Sequence, residues 1–146
     1  MLRKNWRVGT AVIGAFVAGF GVHALMSPPV TAHAAANRVF EIRTYTAPPG
    51  KFDAMKARFR DHTLKLFAKH GMTNVGYFIP QDAPLSENTL MYVLAHASRE
   101  EAKKSWAAFQ ADPDWVKAKA ESEKDGRIVE KVTSVFADPA DFSPLK

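Results

Sequence analysis

Cysteine is absent from this chain of 146 residues. That absence excludes disulfide bonds, a thiolate nucleophile, and zinc or iron–sulfur centres built on cysteine. It is compatible with every redox compartment, so it does not indicate where the protein resides. Histidine is also scarce, with 5 residues, and no two have the spacing of metal ligands on one helix or strand. The sequence therefore predicts no metal site.

Outside the N-terminal segment, the sequence has no strong excess of basic or acidic side chains. The chain has 20 basic and 15 acidic side chains, and three of the basic ones lie in the first 36 residues, which contain no acid. The remainder therefore carries 17 basic against 15 acidic side chains, which is too even a balance for a nucleic-acid surface. A glycine-rich phosphate loop, an arguable Ser-His-Asp order and a catalytic pair of carboxylates are missing as well. No nucleic-acid partner is predicted.

The N-terminal segment has the layout of an export signal. Its start is basic, residues 8–26 are apolar or small except at two positions, and Ser27-Pro28-Pro29 follows, where proline ends any helix. Two tripeptides then offer the small residues that a signal peptidase reads, Ala32-His33-Ala34 and Ala34-Ala35-Ala36. Residues 1–36 are predicted to be a signal peptide plus linker, and the protein to be periplasmic or secreted.

The apolar stretch leaves a second interpretation open. Its 19 residues approach the lower limit of about 17–20 residues for a membrane span. If it is not cleaved, residues 8–26 would anchor the protein to the inner membrane with the domain on the outer side. Contact with a membrane is expected only in that case.

Residues 37–146 are predicted to form one domain. Alternation predicts a strand over Val39–Tyr45, and apolar residues at helical spacing predict a helix from Lys51 to His70, which Gly71 ends. The remaining predicted elements are, in chain order, a strand Thr73–Ile79, a strand Thr89–Ala97, a helix capped by Ser98, a helix capped by Asp112 and a strand Ile128–Phe136.

The order β-α-β-β-α-β predicts an α+β fold of the ferredoxin-like kind, with four antiparallel strands and helices on one face. Both faces of the last strand are substantially apolar: Val129 and Val135 share one face, and Ile128, Val132 and Phe136 share the other. Because the helices cover only one face, the second is expected to be an interaction surface. Twofold dimers are the commonest oligomers, so we predict a homodimer with facing sheets.

Five short motifs in order resemble the NIPSNAP domain family. They are Phe40-Glu41-Ile42-Arg43-Thr44-Tyr45, Pro49-Gly50-Lys51, Lys69-His70-Gly71, Val75-Gly76-Tyr77-Phe78 and Ala111-Asp112-Pro113-Asp114-Trp115. The resemblance covers about Val39 to Phe136 and implies a dimeric α/β barrel. The mitochondrial and vesicle roles of eukaryotic relatives are not expected for a single domain behind a bacterial-style leader. The wider barrel group includes haem enzymes, cofactor-free oxygenases and lactone isomerases, which is an analogy of fold alone.

The polar face of the first strand is the sharpest candidate site. Glu41, Arg43 and Tyr45 alternate along it, so their side chains share one face at about 6.6–7 Å intervals. If that face lines the barrel, it could bind a small carboxylate or phenolic ligand, with Arg43 as clamp and Glu41 or Tyr45 as acid or base. Tyr77 and Tyr92 are further candidates for the cavity. The alternative interpretation is a structural ion pair beside an interface tyrosine.

The three histidines of the domain are expected to have different environments and roles. His62 continues the apolar stripe of the first helix and is predicted to touch the sheet, while His70 lies in the last helical turn. His96, at the end of a strand, is the best candidate for a proton acceptor. A single histidine could also be an axial ligand of haem, but nothing in the sequence identifies one, so no cofactor is predicted.

Three functions fit this sequence. The first is an exported homodimer that binds a small apolar or acidic ligand between its two sheets. The second is a cofactor-independent oxygenase or isomerase, with His96 or Glu41 as the proton acceptor. The third is an interaction protein tethered to the membrane by an uncleaved leader.

Overall fold

A computed structural model describes residues 38–145. The predicted signal peptide or anchor lies outside the described residues. The strands are β1 (Val39–Thr46), β2 (Thr73–Phe78), β3 (Thr89–His96) and β4 (Lys131–Ala137). The helices are α1 (Phe52–Arg58), α2 (Leu64–Lys69), α3 (Arg99–Ala111) and α4 (Pro113–Ser122), with a π-helical turn (Phe59–Thr63) between α1 and α2 and a 3₁₀ turn (Leu85–Glu87) before β3. Within the described range, no helix has the length and apolarity needed to cross a membrane.

The four strands form one antiparallel sheet in the order β2-β3-β1-β4. The predicted α+β, ferredoxin-like plan is confirmed. In this register Arg43 lies opposite Tyr92 on β3 and Ser134 on β4, and directly opposed residues point to the same face. We call the face that carries Glu41, Arg43 and Tyr45 the helix side, and the face that carries Ile42, Val93 and Val135 the reverse side.

The hydrophobic core lies between the helix side and the helices. Tyr92 and Leu94 of β3 have 0 % exposure, and the ring of Phe67 packs on Tyr92 at 6.0 Å and on Phe109 of α3 at 4.9 Å. Burial of each large apolar side chain contributes about 1.5–3 kcal/mol. These aromatic contacts therefore fix where α2 and α3 lie over the sheet.

The reverse side presents apolar side chains to solvent in the single chain. Ile42 is 40 % exposed and its β4 neighbour Val135 is 61 % exposed. Phe78 and Met91, which oppose each other on β2 and β3, are 57 % and 39 % exposed. The exposed apolar face predicted from the sequence is thus present on the side away from the core.

The first helix differs from its prediction at the π-helical turn. There the backbone N–H of Leu64 donates to the carbonyl of Phe59, so the turn takes up one residue more than an α-helical turn. The inward position after Phe59 is consequently Thr63, which is 1 % exposed, whereas His62 is exposed. The prediction that His62 touches the sheet is wrong, because uniform α-helical spacing does not hold across this turn.

The predicted helix ends are confirmed. Ser98 Oγ accepts from the Glu101 amide at 3.1 Å, and Asp112 Oδ1 accepts from the Asp114 amide at 2.8 Å. Gly71 ends α2 with φ +78°, a left-handed conformation that suits glycine. The last strand begins at Lys131 rather than at Ile128, which lies in the core at 1 % exposure before the ladder starts.

Candidate functional site

The polar face of β1 lies under the helices. Trp106 of α3 donates to Glu41, and the ring of Tyr45 packs edge-on against Phe59 at 5.5 Å. A site between two sheets would require these candidates to lie on the face that a second sheet can cover. They lie instead on the face that the helices cover. The condition of the ligand hypothesis, that this face lines the barrel, is not met, and the charges are accommodated beneath the helices because they are paired and hydrogen-bonded.

Glu41 is a buried carboxylate at 1 % exposure that accepts hydrogen bonds on both oxygens. Its four side-chain donors, each on a different residue, are Arg43 Nη1 at 2.6 Å and Ser134 Oγ at 2.6 Å on Oε1, and Trp106 Nε1 at 2.7 Å and His96 Nε2 at 3.1 Å on Oε2. Burial alone would raise the pKa of Glu41, but these hydrogen bonds and the Arg43 charge lower it to about 2. A carboxylate with four donors and a low pKa is a poor proton acceptor.

His96 contacts Glu41 rather than an open cavity. The histidine is 2 % exposed. Because Glu41 is ionised, Nε2 of His96 carries the proton that it donates. Its Nδ1 is buried and has no hydrogen-bond partner among the described residues. The two candidate catalytic residues thus bond to each other, and a substrate would reach His96 only after the site opens.

Arg43 is engaged as a structural cation. Its guanidinium carbon lies 4.2 Å from the centroid of the Trp106 ring, and Nη2 donates to the Tyr45 hydroxyl at 3.4 Å. With Nη1 on Glu41, the charge is already neutralised. The geometry matches the alternative interpretation, a structural ion pair, better than a free clamp for a ligand.

The tyrosine candidates separate into core and cavity residues. Tyr92 stacks on Tyr77 at 5.4 Å, and burial raises the pKa of both phenols. Tyr77 donates to Asn74, so its hydroxyl is satisfied inside the sheet. Tyr45 lines a cavity between the sheet and the helices.

That cavity, which we call the helix-side cavity, has a volume of about 240 Å³. Its apolar lining comes from β1, β4 and the segment before it, the π-helical turn, α2, α3 and α4, namely Tyr45, Phe59, Phe67, Phe109, Trp115, Val129 and Val132. The π-helical turn supplies Phe59 and Thr63. Drug-sized ligands occupy cavities of about 300–1,000 Å³, so this one suits a smaller molecule with an aromatic or aliphatic body.

The same cavity has a charged end. Four charged residues line it, Arg58, Lys119, Glu123 and Arg127. Arg58 is 4 % exposed and its Nη1 donates to Glu123 at 2.8 Å. The Arg58 guanidinium carbon lies 5.1 Å from the centroid of the Trp115 ring, which joins the charged end to the aromatic wall.

Two larger depressions lie outside this cavity. One of about 550 Å³ lies between the first helices and α4. Its lining includes His62, alanines and exposed charges, together with the buried side chains of Leu66 and Arg58, and it shares Arg58 with the helix-side cavity. The other, of about 770 Å³, lies beside Glu41, Arg43 and Trp106. Across residues 38–145, no group of three histidine, aspartate or glutamate side chains could hold a metal ion.

Comparison with known proteins assigns this architecture to a family. The NIPSNAP family model matches residues 40–144. The chain belongs to the NIPSNAP family. The resemblance found in the five sequence motifs is thereby confirmed. A comparison with curated protein sequences found no match.

Solved structures of NIPSNAP proteins share the fold. A NIPSNAP family protein of unknown function from Agrobacterium tumefaciens is 27 % identical, with a TM-score of 0.65 over 77 % of this chain and 96 % of that one. A NIPSNAP-like domain protein from Burkholderia xenovorans is 18 % identical, with a TM-score of 0.64 over 75 % and 90 %. A monooxygenase from Streptomyces coelicolor, solved with nanaomycin D, is 11 % identical, with a TM-score of 0.51 over 72 % and 89 %. The last similarity shows the fold alone.

The sequence did not reveal Arg58 and Glu123 as site residues of this NIPSNAP domain. Glu123 belongs to a charge-rich stretch typical of a solvated helix face, and Arg58 precedes the π-helical turn inside a helical pattern. Thr63 Oγ1 donates to the Arg58 carbonyl at 3.1 Å across that turn. The only signal was the apolar stripe that brackets Arg58, since a cation inside such a stripe needs a buried partner.

Proposed function

We propose that this protein is an exported NIPSNAP homodimer that binds a small, largely apolar molecule in the helix-side cavity of each subunit. The observation that carries the proposal is the aromatic lining of a cavity of about 240 Å³ around Tyr45, Phe59 and Trp115. Apolar cavities with a few convergent polar groups are the usual binding sites of small molecules. The ligand thus lies between sheet and helices, and not between two sheets.

Acid–base catalysis fits this geometry less well. An oxygenase or isomerase without a cofactor needs a proton acceptor that meets the substrate. Glu41 has four donors and a pKa of about 2, and His96 is buried against it. Binding without turnover is therefore the function that we favour over the enzymatic alternative.

The dimer is supported by the reverse side of the sheet. Exposed Ile42, Phe78 and Val135 leave an apolar face that a second copy would cover. Export is supported by the basic start, apolar stretch and small-residue sites of residues 1–36. The proposed location is the periplasm or the extracellular space, with an inner-membrane anchor if the leader is retained.

Filling the cavity tests the binding proposal. Val132 lines the cavity from β4 and is 42 % exposed, so Val132→Trp should occlude it without disturbing the buried core. In titration calorimetry, 2-naphthylmethanol should bind the wild-type protein, and the Val132→Trp variant should bind it about tenfold or more weakly. Val116→Trp, at a position on α4 that is 55 % exposed, is the matched control and should bind like the wild type.

Two results would overturn the proposal. One is equal binding by wild type and Val132→Trp, which would mean that the probe binds outside the cavity. The other is no binding to the wild type by either neutral or acidic naphthalene derivatives.

A further inference from the structure

The charged end of the helix-side cavity has more cations than anions. Arg58, Lys119 and Arg127 line it together with a single acid, Glu123. Glu123 accepts from Arg58 at 2.8 Å and pairs with Lys119 at 3.1 Å. Arg127 forms no ion pair with any residue of the described range. One carboxylate thus serves two cations, and a third cation has none.

Arg58 is the member of this set that needs a further partner. It is 4 % exposed, and its Nε is buried with no hydrogen-bond partner among residues 38–145. A guanidinium carries five N–H donors in a fixed fork that suits two carboxylate oxygens. Leaving a buried donor of a charged group unsatisfied is costly, so an anion that reached this donor would be bound strongly.

Glu123 keeps its charge in this setting. Burial alone would raise its pKa, but the hydrogen bonds from Arg58 and Lys119 hold the pKa below its usual range. The carboxylate is therefore ionised at neutral pH and competes with any anionic ligand for Arg58. It also prevents Arg58 from being a buried charge without a partner when the cavity holds no ligand.

We infer that the ligand is an amphipathic carboxylate, in which a compact ring or short chain lies against Phe59, Phe109 and Trp115 and the acid group binds Arg58 and Arg127. This inference rests on the proposed function and narrows its ligand to one chemical class. The aromatic wall and the cations belong to one cavity, so a single small molecule can contact both. A neutral molecule of the same shape would leave the excess positive charge unpaired.

A pair of probes that differ only in charge tests the inference. We expect 2-naphthoate to bind wild-type protein about tenfold or more tightly than 2-naphthylmethanol. Arg127→Gln, at an exposed position of the cavity lining, should weaken the binding of 2-naphthoate several-fold and change the affinity for the alcohol much less. Arg58→Gln should have the larger effect on 2-naphthoate.

Two variants make the test specific. Glu123→Gln removes the competing acid, so it should increase the affinity for 2-naphthoate several-fold. A merely structural role for Glu123 would not produce that increase. Arg60→Gln removes the same charge from an exposed position of the π-helical turn outside the cavity lining, and it should match the wild type for both probes.

The outcomes separate this inference from the proposed function. Equal affinity for the two probes would overturn the inference that the ligand is a carboxylate. So would binding of 2-naphthoate that is unchanged in both Arg127→Gln and Arg58→Gln. In either case the proposal that the cavity binds the alcohol would stand. Failure of the alcohol and the carboxylate alike would overturn the proposed function itself.

Discussion

Glu41 joins four parts of the fold through one side chain. Its carboxylate on β1 accepts from His96 at the end of β3, from Ser134 on β4 and from Trp106 on α3. A buried charge is stable in a protein only when it is paired and hydrogen-bonded. This residue therefore fixes the position of the Arg43 guanidinium and of α3 at this end of the sheet, and its contribution is to structure.

Glu41→Gln is expected to lower the free energy of unfolding at pH 7 by about 3 kcal/mol, because the variant leaves the partly buried Arg43 without its anion. Urea unfolding followed by circular dichroism measures the change. The matched control is Glu121→Gln, which removes a carboxylate from an exposed pair with Lys124 and should leave the urea midpoint within experimental error. A Glu41→Gln variant as stable as the control would contradict the role given to this carboxylate.

The stability of the wild type should also depend on pH through Glu41. Its pKa is about 2 in the folded protein against an ordinary 4.5, so the contribution of its charge is complete above about pH 4.5 and is lost as the pH falls towards 2. The loss is about 3 kcal/mol, since each unit of pKa shift corresponds to about 1.4 kcal/mol. Unfolding titrations from pH 6 to 2 should therefore show a steeper decline for wild type than for Glu41→Gln, and parallel curves would count against the assignment.

At the scale of elements, α4 is tied to α2 by its first residues. Asp112 caps α4 and also contacts His70 at 2.6 Å and Lys69 at 2.7 Å, both at the end of α2. Hydrogen bonds from Lys69 and His70 hold the pKa of Asp112 well below its usual range. Since α2 and α4 both border the cavity through Phe67 and Trp115, this cap stabilises the cavity walls.

The two helix caps should differ in their effect on stability. Ser98→Ala removes one capping acceptor at the exposed start of α3 and should lower the free energy of unfolding by about 1 kcal/mol. Asp112→Ala should cost more, because the same change removes the cap of α4 and its two links to α2. Thermal unfolding of the two variants, measured side by side, shows which one loses more stability. An equal loss of stability in both would show that the links to α2 contribute nothing.

The reverse side of the sheet belongs to the scale of the whole molecule. If a second copy covers it, Val135→Asp places a charge in that interface and should shift sedimentation from dimer to monomer at micromolar concentration. Val116→Asp, on α4 and similarly exposed, should sediment like wild type. A wild-type protein that sediments as a stable monomer would contradict the proposed dimer, while the helix-side cavity within each subunit would stand.

The fate of the leader is a further prediction at this scale. Cleavage after Ala34 or Ala36 would yield a mature chain that starts shortly before β1, and intact-mass spectrometry of the protein from a periplasmic extract should show that mass. Detection of the full-length mass in the membrane fraction would instead support the anchor. Recovery of the full-length chain from the cytoplasm would contradict both.

Local patterns predicted most of the secondary structure because their causes are local. The capping box at Ser98, the Asp112-Pro113 start of α4 and the glycine after α2 were each readable within a few residues. The π-helical turn was not, since it lies where Phe59 and Phe67 pack against Tyr92 of β3, which is distant in the chain. Interactions between distant segments override uniform helical spacing there.

The amino-acid sequence by itself determined the family, the order of strands and helices, and the grouping of Glu41, Arg43 and Tyr45 on one face, because motifs and periodicity are properties of neighbouring residues. Only the tertiary structure decided which face the helices cover, and thus that Glu41 is saturated by donors from β3, β4 and α3. It also brought Arg58 and Glu123 together across α1 and the end of α4. Alternation distinguishes two faces of a strand, but packing against the rest of the chain chooses between them.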